Sequence, residues 1–214
     1  MIKNIVFDLG NVLISFRPSE FFDKKKYPEN IKTKILSDIF GNKEWGMLDN
    51  GEITTPEVID AIALKSSLKK EEIAHIFNLR TVLMFPLDHN VRLLPGLKKR
   101  GFRLYFLSNF PMDIFEEVKT GYYFFKYFDG GIISAEAKFS KPDSRIYEIL
   151  LEKYSLIPKE CLYIDDLEIN VKAAEAAGMK GLFTFGSLEI SKEIESALNS
   201  SFQTAKFKDI RPDK

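Results

Sequence analysis

The chain has 214 residues, 45% of them hydrophobic and 29% charged, enough to bury a core and keep a polar surface. Lys plus Arg and Asp plus Glu each number 31; the balance argues against a nucleic-acid surface, and no run approaches the roughly 18 consecutive apolar residues of a membrane span. The single cysteine, Cys161, excludes an internal disulfide, and the opening apolar run is shorter than the about 7–15 residues of a signal-peptide core, so a cytoplasmic protein is expected.

Taken in chain order, the first predicted element is a strand in NIVFD, residues 4–8, which ends on Asp8. From residue 16 to 88 the text turns charge-rich and helical, as in NIKTKILSDIF, TTPEVIDAIALKSS and KKEEIAHIFNLR. The triplet Thr55–Pro56–Glu57 reads as a helix start, with Thr55 as the cap and Pro56 in first position. LLPGLKKRG then leads through a Gly-terminated helix into the strand FRLYFLSN, 102–109. Three further strand-like runs follow, GGIISAEAK (130–138), CLYIDD (161–166) and KGLFTFGS (180–187). Short apolar runs bounded by turn residues fit strands covered on both faces.

Helical patterns fill the gaps. Ile146, Ile149, Leu150 and Tyr154 share one face of DSRIYEILLEKYSL, and Ile169, Ala173, Ala176 and Ala177 share one face of EINVKAAEAAGM. The aromatic run YYFFKYFDG, 122–130, is expected on a helix packed into the core. The tail FQTAKFKDIRPDK carries no strong signal. Strand and helix in alternation predict an α/β fold, a Rossmann-like core with a central parallel sheet flanked by helices. The core comprises 1–15 and 89–214, and a helical cap, 16–88, is inserted after the first strand.

Ligands of such sheets bind outside the carboxyl ends of the strands. Asp8 stands at the end of the first strand and Ser108 with Asn109 at the end of the second. Lys141 follows the third, and Asp165 with Asp166 end the fourth. Carboxylates in that number form a hard-oxygen site suited to Mg²⁺, which usually bridges to a substrate phosphate. With its charge offset by a metal and an ammonium, a carboxylate can attack phosphorus and split hydrolysis into two easier steps. Any one of these residues alone would read as a turn former, a helix cap or a solvated charge. Four groups in this order, each just past a buried strand, point to phosphoryl chemistry.

FDLGNVL (7–13), FLSNF (106–110), FSKPDSRIY (139–147) and YIDDLEINV (163–171) resemble the four ordered motifs of the haloacid dehalogenase superfamily. The insertion resembles the cap of its C1 members. In local wording the chain is similar to bacterial α-glucose-1-phosphate phosphatases and to the N-terminal phosphatase domain of soluble epoxide hydrolases. The resemblance implies a Mg²⁺-dependent phosphomonoester hydrolase acting through an aspartyl-phosphate on a small phosphorylated metabolite such as a sugar phosphate. It implies Asp8 as nucleophile and metal ligand. The Gly10 carbonyl and Asp166 would be further ligands, and Asp165 a ligand of metal waters or a supporting residue. Ser108 and the Asn109 backbone would bind phosphate, Lys141 would neutralise charge, and Asn170 would orient the loop. Oligomeric state is left open.

Phosphatases of the superfamily usually carry a second Asp two residues after the nucleophile, where this chain has Gly10. Such an acid–base group is worth roughly 10²–10⁴-fold. Its absence keeps other chemistries of the superfamily in play: 2-haloacid dehalogenation, phosphonate C–P hydrolysis using a cap lysine such as Lys34 or Lys43, and low-turnover binding of a phosphorylated ligand. Within the cap, Trp45, Met47 and Leu48 are expected to pack a small core. Asp49 and Glu44 are candidates for the missing proton relay. His75 and His89 are expected to be structural or surface residues.

Overall fold

The computed structural model describes residues 1–184 and 190–199. Five parallel strands form the central sheet: β1 (Asn4–Phe7), β4 (Arg103–Ser108), β5 (Gly130–Ile133), β6 (Cys161–Asp165) and β7 (Lys180–Phe183), in the order β5-β4-β1-β6-β7. The first strand is central because the chain leaves it in both directions. Phe7 pairs with Phe106 on one side and with Ile164 on the other.

Alternation along the strands divides the core. Ile5, Phe7, Leu104, Phe106, Leu162 and Ile164 face one side of the sheet, and Val6, Tyr105, Leu107, Cys161 and Tyr163 face the other. The first side is closed by α7 (Asp88–Val91), α8 (Leu94–Lys99), α9 (Met112–Gly121) and α13 (Ile190–Asn199), the second by α10 (Ser134–Ala137), α11 (Ser144–Lys153) and α12 (Glu168–Ala176). The 122–130 segment is a short 3-10 helix, Tyr123–Tyr127, and its aromatics are core. Phe124 is buried, and Phe125 and Phe128 pack edge-on against Phe106.

The helical cap leaves the core through a two-stranded antiparallel ribbon, β2 (Ile14–Phe16) and β3 (Met84–Pro86). Between its strands lie α1 (Pro18–Lys24), α2 (Glu29–Ile35), a π-helical turn at Leu36–Phe40, α3 (Lys43–Asp49), α4 (Thr55–Ala63), α5 (Lys70–Asn78) and α6 (Arg80–Leu83). These helices enclose their own apolar cluster, which includes Phe22, Ile39, Val58, Ile62, Ile73 and Phe77. Trp45 stacks on Phe16 and packs against Phe40 and Phe77, as the packing expectation requires.

Three local readings are corrected. The helix at 55 is capped by Thr54, whose N–H and hydroxyl both donate to Glu57, while Thr55 is the first helical residue. The run at 130–138 is a strand only to Ile133 and then turns into α10, where Ser134 meets the loop after β4. In α12 the buried residues are Asn170, Val171 and Ala174, whereas Ile169 is 61% exposed. The polar Asn170 is drawn inward by hydrogen bonds that an apolar periodicity does not count. Of the expected strand at 180–187, the part from 185 to 187 lies outside the described residues, as does the tail from residue 200.

Candidate active site

The pairing of β1 with its neighbours sets the site. Asp8 follows Phe7, its N–H donates to the Ile164 carbonyl at 2.8 Å, and Asp165 is the next residue along β6. Two-residue alternation puts Asp8 and Asp165 on the Val6 and Tyr163 side. Lys141 reaches the two carboxylates there. Its ammonium lies 2.8 Å from Asp8 Oδ1 and 2.7 Å from Asp165 Oδ2, and all three residues are buried. Ser108 is buried at the end of β4, and its hydroxyl bonds Asp8. Asp166 completes a set of three carboxylates whose oxygens lie within 4.8 Å of one another.

Electrostatics follow from one cation among three acids. Burial pushes Asp8 up to about 6, and Asp165 adds to the rise, while Lys141 and Ser108 oppose it. Asp166 is raised by burial and then by Asp165, against the opposing effects of the Asn11 side chain and Lys141. Burial lowers the Lys141 ammonium, but Asp8 and Asp165 outweigh it and hold the charged form. Three carboxylates against one ammonium leave the cluster two positive charges short of neutrality.

The three acids do different work. Asp165 accepts from Lys141 Nζ at 2.7 Å, from the Tyr163 hydroxyl, from Leu167 N at 2.8 Å and from Asn170 Nδ2 at 3.1 Å. Both its oxygens are occupied by protein donors, so it orients Lys141 and has little capacity left for an ion. Asp8 Oδ1, by contrast, is buried and outside hydrogen-bond angles with any donor, Lys141 included. An oxygen of this kind suits a hard cation shared with Asp166.

Asn109 acts through its amide. Its Oδ1 accepts from Lys141 N at 2.8 Å and its Nδ2 donates to Lys141 O at 3.1 Å, tying the loop after β4 to the loop that carries the lysine. Gly10 sits beside this cluster with room to spare. A Cβ there would meet only Asp8 Oδ2, at 3.6 Å. Sequence reasoning passed over three supporting residues. Tyr163 bonds Asp165, Asn11 bonds Asp166 and accepts from Phe16 N, and Ser134 bonds Phe110 N at 2.9 Å. Tyr163 reads as a core aromatic in an apolar run, and only strand alternation past Asp165 would have pointed to it.

The cap closes on this edge of the sheet along a polar seam. Ser134 Oγ donates to the Asp49 carbonyl, Ser140 Oγ to Asn50 Oδ1, and Lys138 Nζ to the Gly51 carbonyl at 2.7 Å. Gly51 has φ +62°, and a Cβ there would lie 2.9 Å from the Ala135 carbonyl, so the close approach depends on glycine. Farther along, Thr55 Oγ1 and Arg80 Nη2 both donate to Asp113 Oδ2, at 2.7 and 3.0 Å. A crevice of about 400 Å³ opens beside the seam, with Leu48, Ile53, Pro56 and Met112 among its apolar walls and Asp113 and Lys138 among its polar ones.

Other candidates are placed away from this edge or changed in character. Lys34 and Lys43 are exposed, and Lys34 donates to Ser67 at 2.8 Å. A Schiff-base lysine needs a desolvated, neutral amine, so neither fits that role. His75 and His89 are exposed. Glu44 is paired with Lys65, whose ammonium holds its carboxyl below the usual range and keeps it ionised.

Carboxylates at the mouth of a parallel sheet, with a bridging lysine and a helical roof entered after the first strand, mark a capped α/β hydrolase. A family model for haloacid dehalogenase-like hydrolases matches residues 2–178, and the chain belongs to that family. It is 29% identical over 192 residues to a sesquiterpene phosphatase of Aspergillus oryzae, covering 90% of this chain and 94% of that one. It is 23% identical over 186 residues to a phosphorylated carbohydrates phosphatase of Thermotoga maritima, covering 84% and 83%. Among solved structures, a haloacid dehalogenase family enzyme of Bacteroides thetaiotaomicron, in complex with magnesium and inorganic phosphate, matches with a TM-score of 0.66 and 29% identity. That match covers 87% of this chain and 96% of the other. No helix among the described residues is long and apolar enough to cross a membrane.

Proposed function

We propose that the chain is a Mg²⁺-dependent phosphomonoester hydrolase that works through a phospho-aspartate at Asp8. The observation that carries this reading is Lys141 held between Asp8 and Asp165, with Ser108 bonded to Asp8. Asp8 is the one carboxylate of the three with a buried oxygen, Oδ1, that has Lys141 beside it but accepts no hydrogen bond. It attacks phosphorus, and Lys141 screens the approach of two anions. Ser108 and the backbone of Asn109 hold the phosphoryl oxygens, and Asp165 fixes Lys141.

The donor set fits a magnesium ion: hard oxygens of Asp8 and Asp166, a charge deficit, and the main-chain carbonyl of Gly10 in the same loop. When bound, the ion supplies the positive charge that lets a carboxylate and a phosphate meet. Phosphatase relatives named for a sesquiterpene and for carbohydrates support a small organic phosphomonoester, a sugar phosphate among them.

The test is hydrolysis of 4-nitrophenyl phosphate and of a panel of sugar phosphates, with Mg²⁺ and with EDTA. The expected result is Mg²⁺-dependent phosphate release and a loss of at least about 10³-fold in Asp8→Asn, the scale of removing a catalytic group that nothing replaces. Equal rates for the wild type and Asp8→Asn on every substrate would refute it.

A further inference from the structure

The phosphatase reading leaves one step without a residue. When the bond from phosphorus to the leaving oxygen breaks, an alkoxide needs a proton, and Gly10 has none to give. Of the two cap acids considered from sequence, Glu44 is held ionised by Lys65 and cannot donate. Asp49 differs in position and in state.

Asp49 is the last residue of α3, and its main chain is fastened to the catalytic edge. Its carbonyl accepts from Ser134 Oγ, which in turn accepts from Phe110 N, next to Ser108 and Asn109. The following residue, Asn50, is bonded to Ser140, next to Lys141. The main chain at Asp49 and Asn50 is therefore tied to Ser134 and Ser140, beside the loops of Asn109 and Lys141. We propose that Asp49 is the proton-transfer group of this enzyme, supplied by the cap in place of the acid missing at Gly10. The proposal rests on the phosphatase reading and deepens it.

The surroundings suit that work. Protein packs closely around Asp49, yet the residue keeps partial access to solvent at the seam. Burial pushes its carboxyl up to about 7, opposed by the Arg80 charge and by a hydrogen bond from Trp45. Beyond Arg80 stand Asp113 and Glu117, and Lys138 is bonded to the Gly51 carbonyl. Arg80 is 4% exposed, its Nη1 is buried without a hydrogen-bond partner, and its charge favours the carboxylate form of Asp49. A group near neutrality can both donate and accept at working pH.

The steps balance. Asp8 forms its bond to phosphorus, the bond to the leaving oxygen breaks, and the Asp49 proton passes to that oxygen to give the free alcohol. Water then attacks the phospho-aspartate, its proton passes to the Asp49 carboxylate, and phosphate leaves with Asp8 restored. The cap must be closed for either transfer, because Asp49 belongs to the cap and Asp8 to the core.

The test compares 4-nitrophenyl phosphate, whose phenolate leaves without help, with butyl phosphate, whose alkoxide does not. Asp49→Asn is expected to lower kcat/KM on butyl phosphate by about 10²–10⁴-fold and on the aryl ester by less than about tenfold. The wild-type kcat/KM on butyl phosphate should fall as pH rises through about 7, and that limb should vanish in Asp49→Asn. Gly10→Asp in the Asp49→Asn background should recover butyl phosphate hydrolysis, since Gly10 has room for a side chain beside Asp8. Equal losses on both esters, or an unchanged pH limb, would overturn the proposal while leaving the phosphatase reading intact. Inactivity of the wild type on both esters, level with Asp8→Asn, would overturn both. Should Asp49→Asn fail to fold, the wild type alone decides. Its rates must depend more steeply on leaving-group acidity as pH rises from about 6 to about 8, and a constant dependence refutes a donor titrating there.

Discussion

At the scale of single residues, the proposed site separates groups assigned to phosphate from groups that hold them in place. Asn109 belongs to both groups, and its amide is the part whose contribution can be measured. Two hydrogen bonds to the Lys141 main chain join loops that are 32 residues apart. Asn109→Ala leaves the Lys141 N–H and carbonyl unpaired in a half-buried place, which costs about 1–3 kcal/mol. The expected outcome is a kcat/KM on 4-nitrophenyl phosphate lower by roughly 10–100-fold, with the Mg²⁺ concentration for half-activation unchanged. An Asn109→Asp variant keeps the acceptor for Lys141 N and should recover part of the loss. A shift in Mg²⁺ dependence instead would place Asn109 in the ion's shell.

At the scale of elements, what was legible depended on whether the cause was local. Asp8, Ser108, Asp165 and Asp166 were visible because each ends or directly follows an apolar run, and parallel sheets gather such ends on one edge, whereas Lys141 lies past β5 and α10 and was marked by the motif around it. The Thr54 cap was missed by one residue because Thr55 is equally good chemistry; only the contact from Thr55 to Asp113 explains why it is inside the helix. The ribbon β2–β3 was invisible. Each strand has three residues, too few for alternation, and they pair across about 70 positions. Ile169 was assigned to the buried face of α12 because apolar spacing counts Ile and ignores Asn170, which is inside for its bonds to Asp165.

The seam between α4, α6 and α9 yields a pH prediction at this scale. Burial raises Asp113, but the Thr55 hydroxyl and Arg80 outweigh it, so its carboxyl is held below the ordinary 3.8. A depressed acid stabilises the closed seam at pH above its unfolded value, and the benefit is lost as pH falls through the lower folded one. Amide hydrogen exchange in Thr55–Ala63 and Arg80–Leu83, corrected for intrinsic rates, should therefore be faster in Asp113→Asn than in the wild type at neutral pH. The difference should close as pH drops below about 4. A difference that persists in acid would show that Asp113 acts through packing rather than charge.

At the scale of the whole molecule, equal numbers of acids and bases conceal an unequal interior. The charges of the whole chain balance, but the site holds three buried carboxylates against one lysine. That arrangement costs stability, since burial and the neighbouring Asp165 both disfavour the charged form of Asp166. Two consequences separate a metal site from a mere acidic cluster. Asp166→Asn removes a repelling charge, so without metal the variant should melt above the wild type at neutral pH. A bound ion stabilises the folded chain by an amount that grows with the logarithm of its concentration over Kd, about 2.7 kcal/mol at a hundredfold excess. For a chain of this size that corresponds to a Tm increase of about 5–10 °C in the wild type. The same Mg²⁺ should move Asp166→Asn little, so the order of the two melting points reverses when the ion is added. If Mg²⁺ raises both Tm values equally, Asp166 is not a ligand; if the metal-free variant melts lower, its carboxylate is held by protein donors and the charge deficit does not exist.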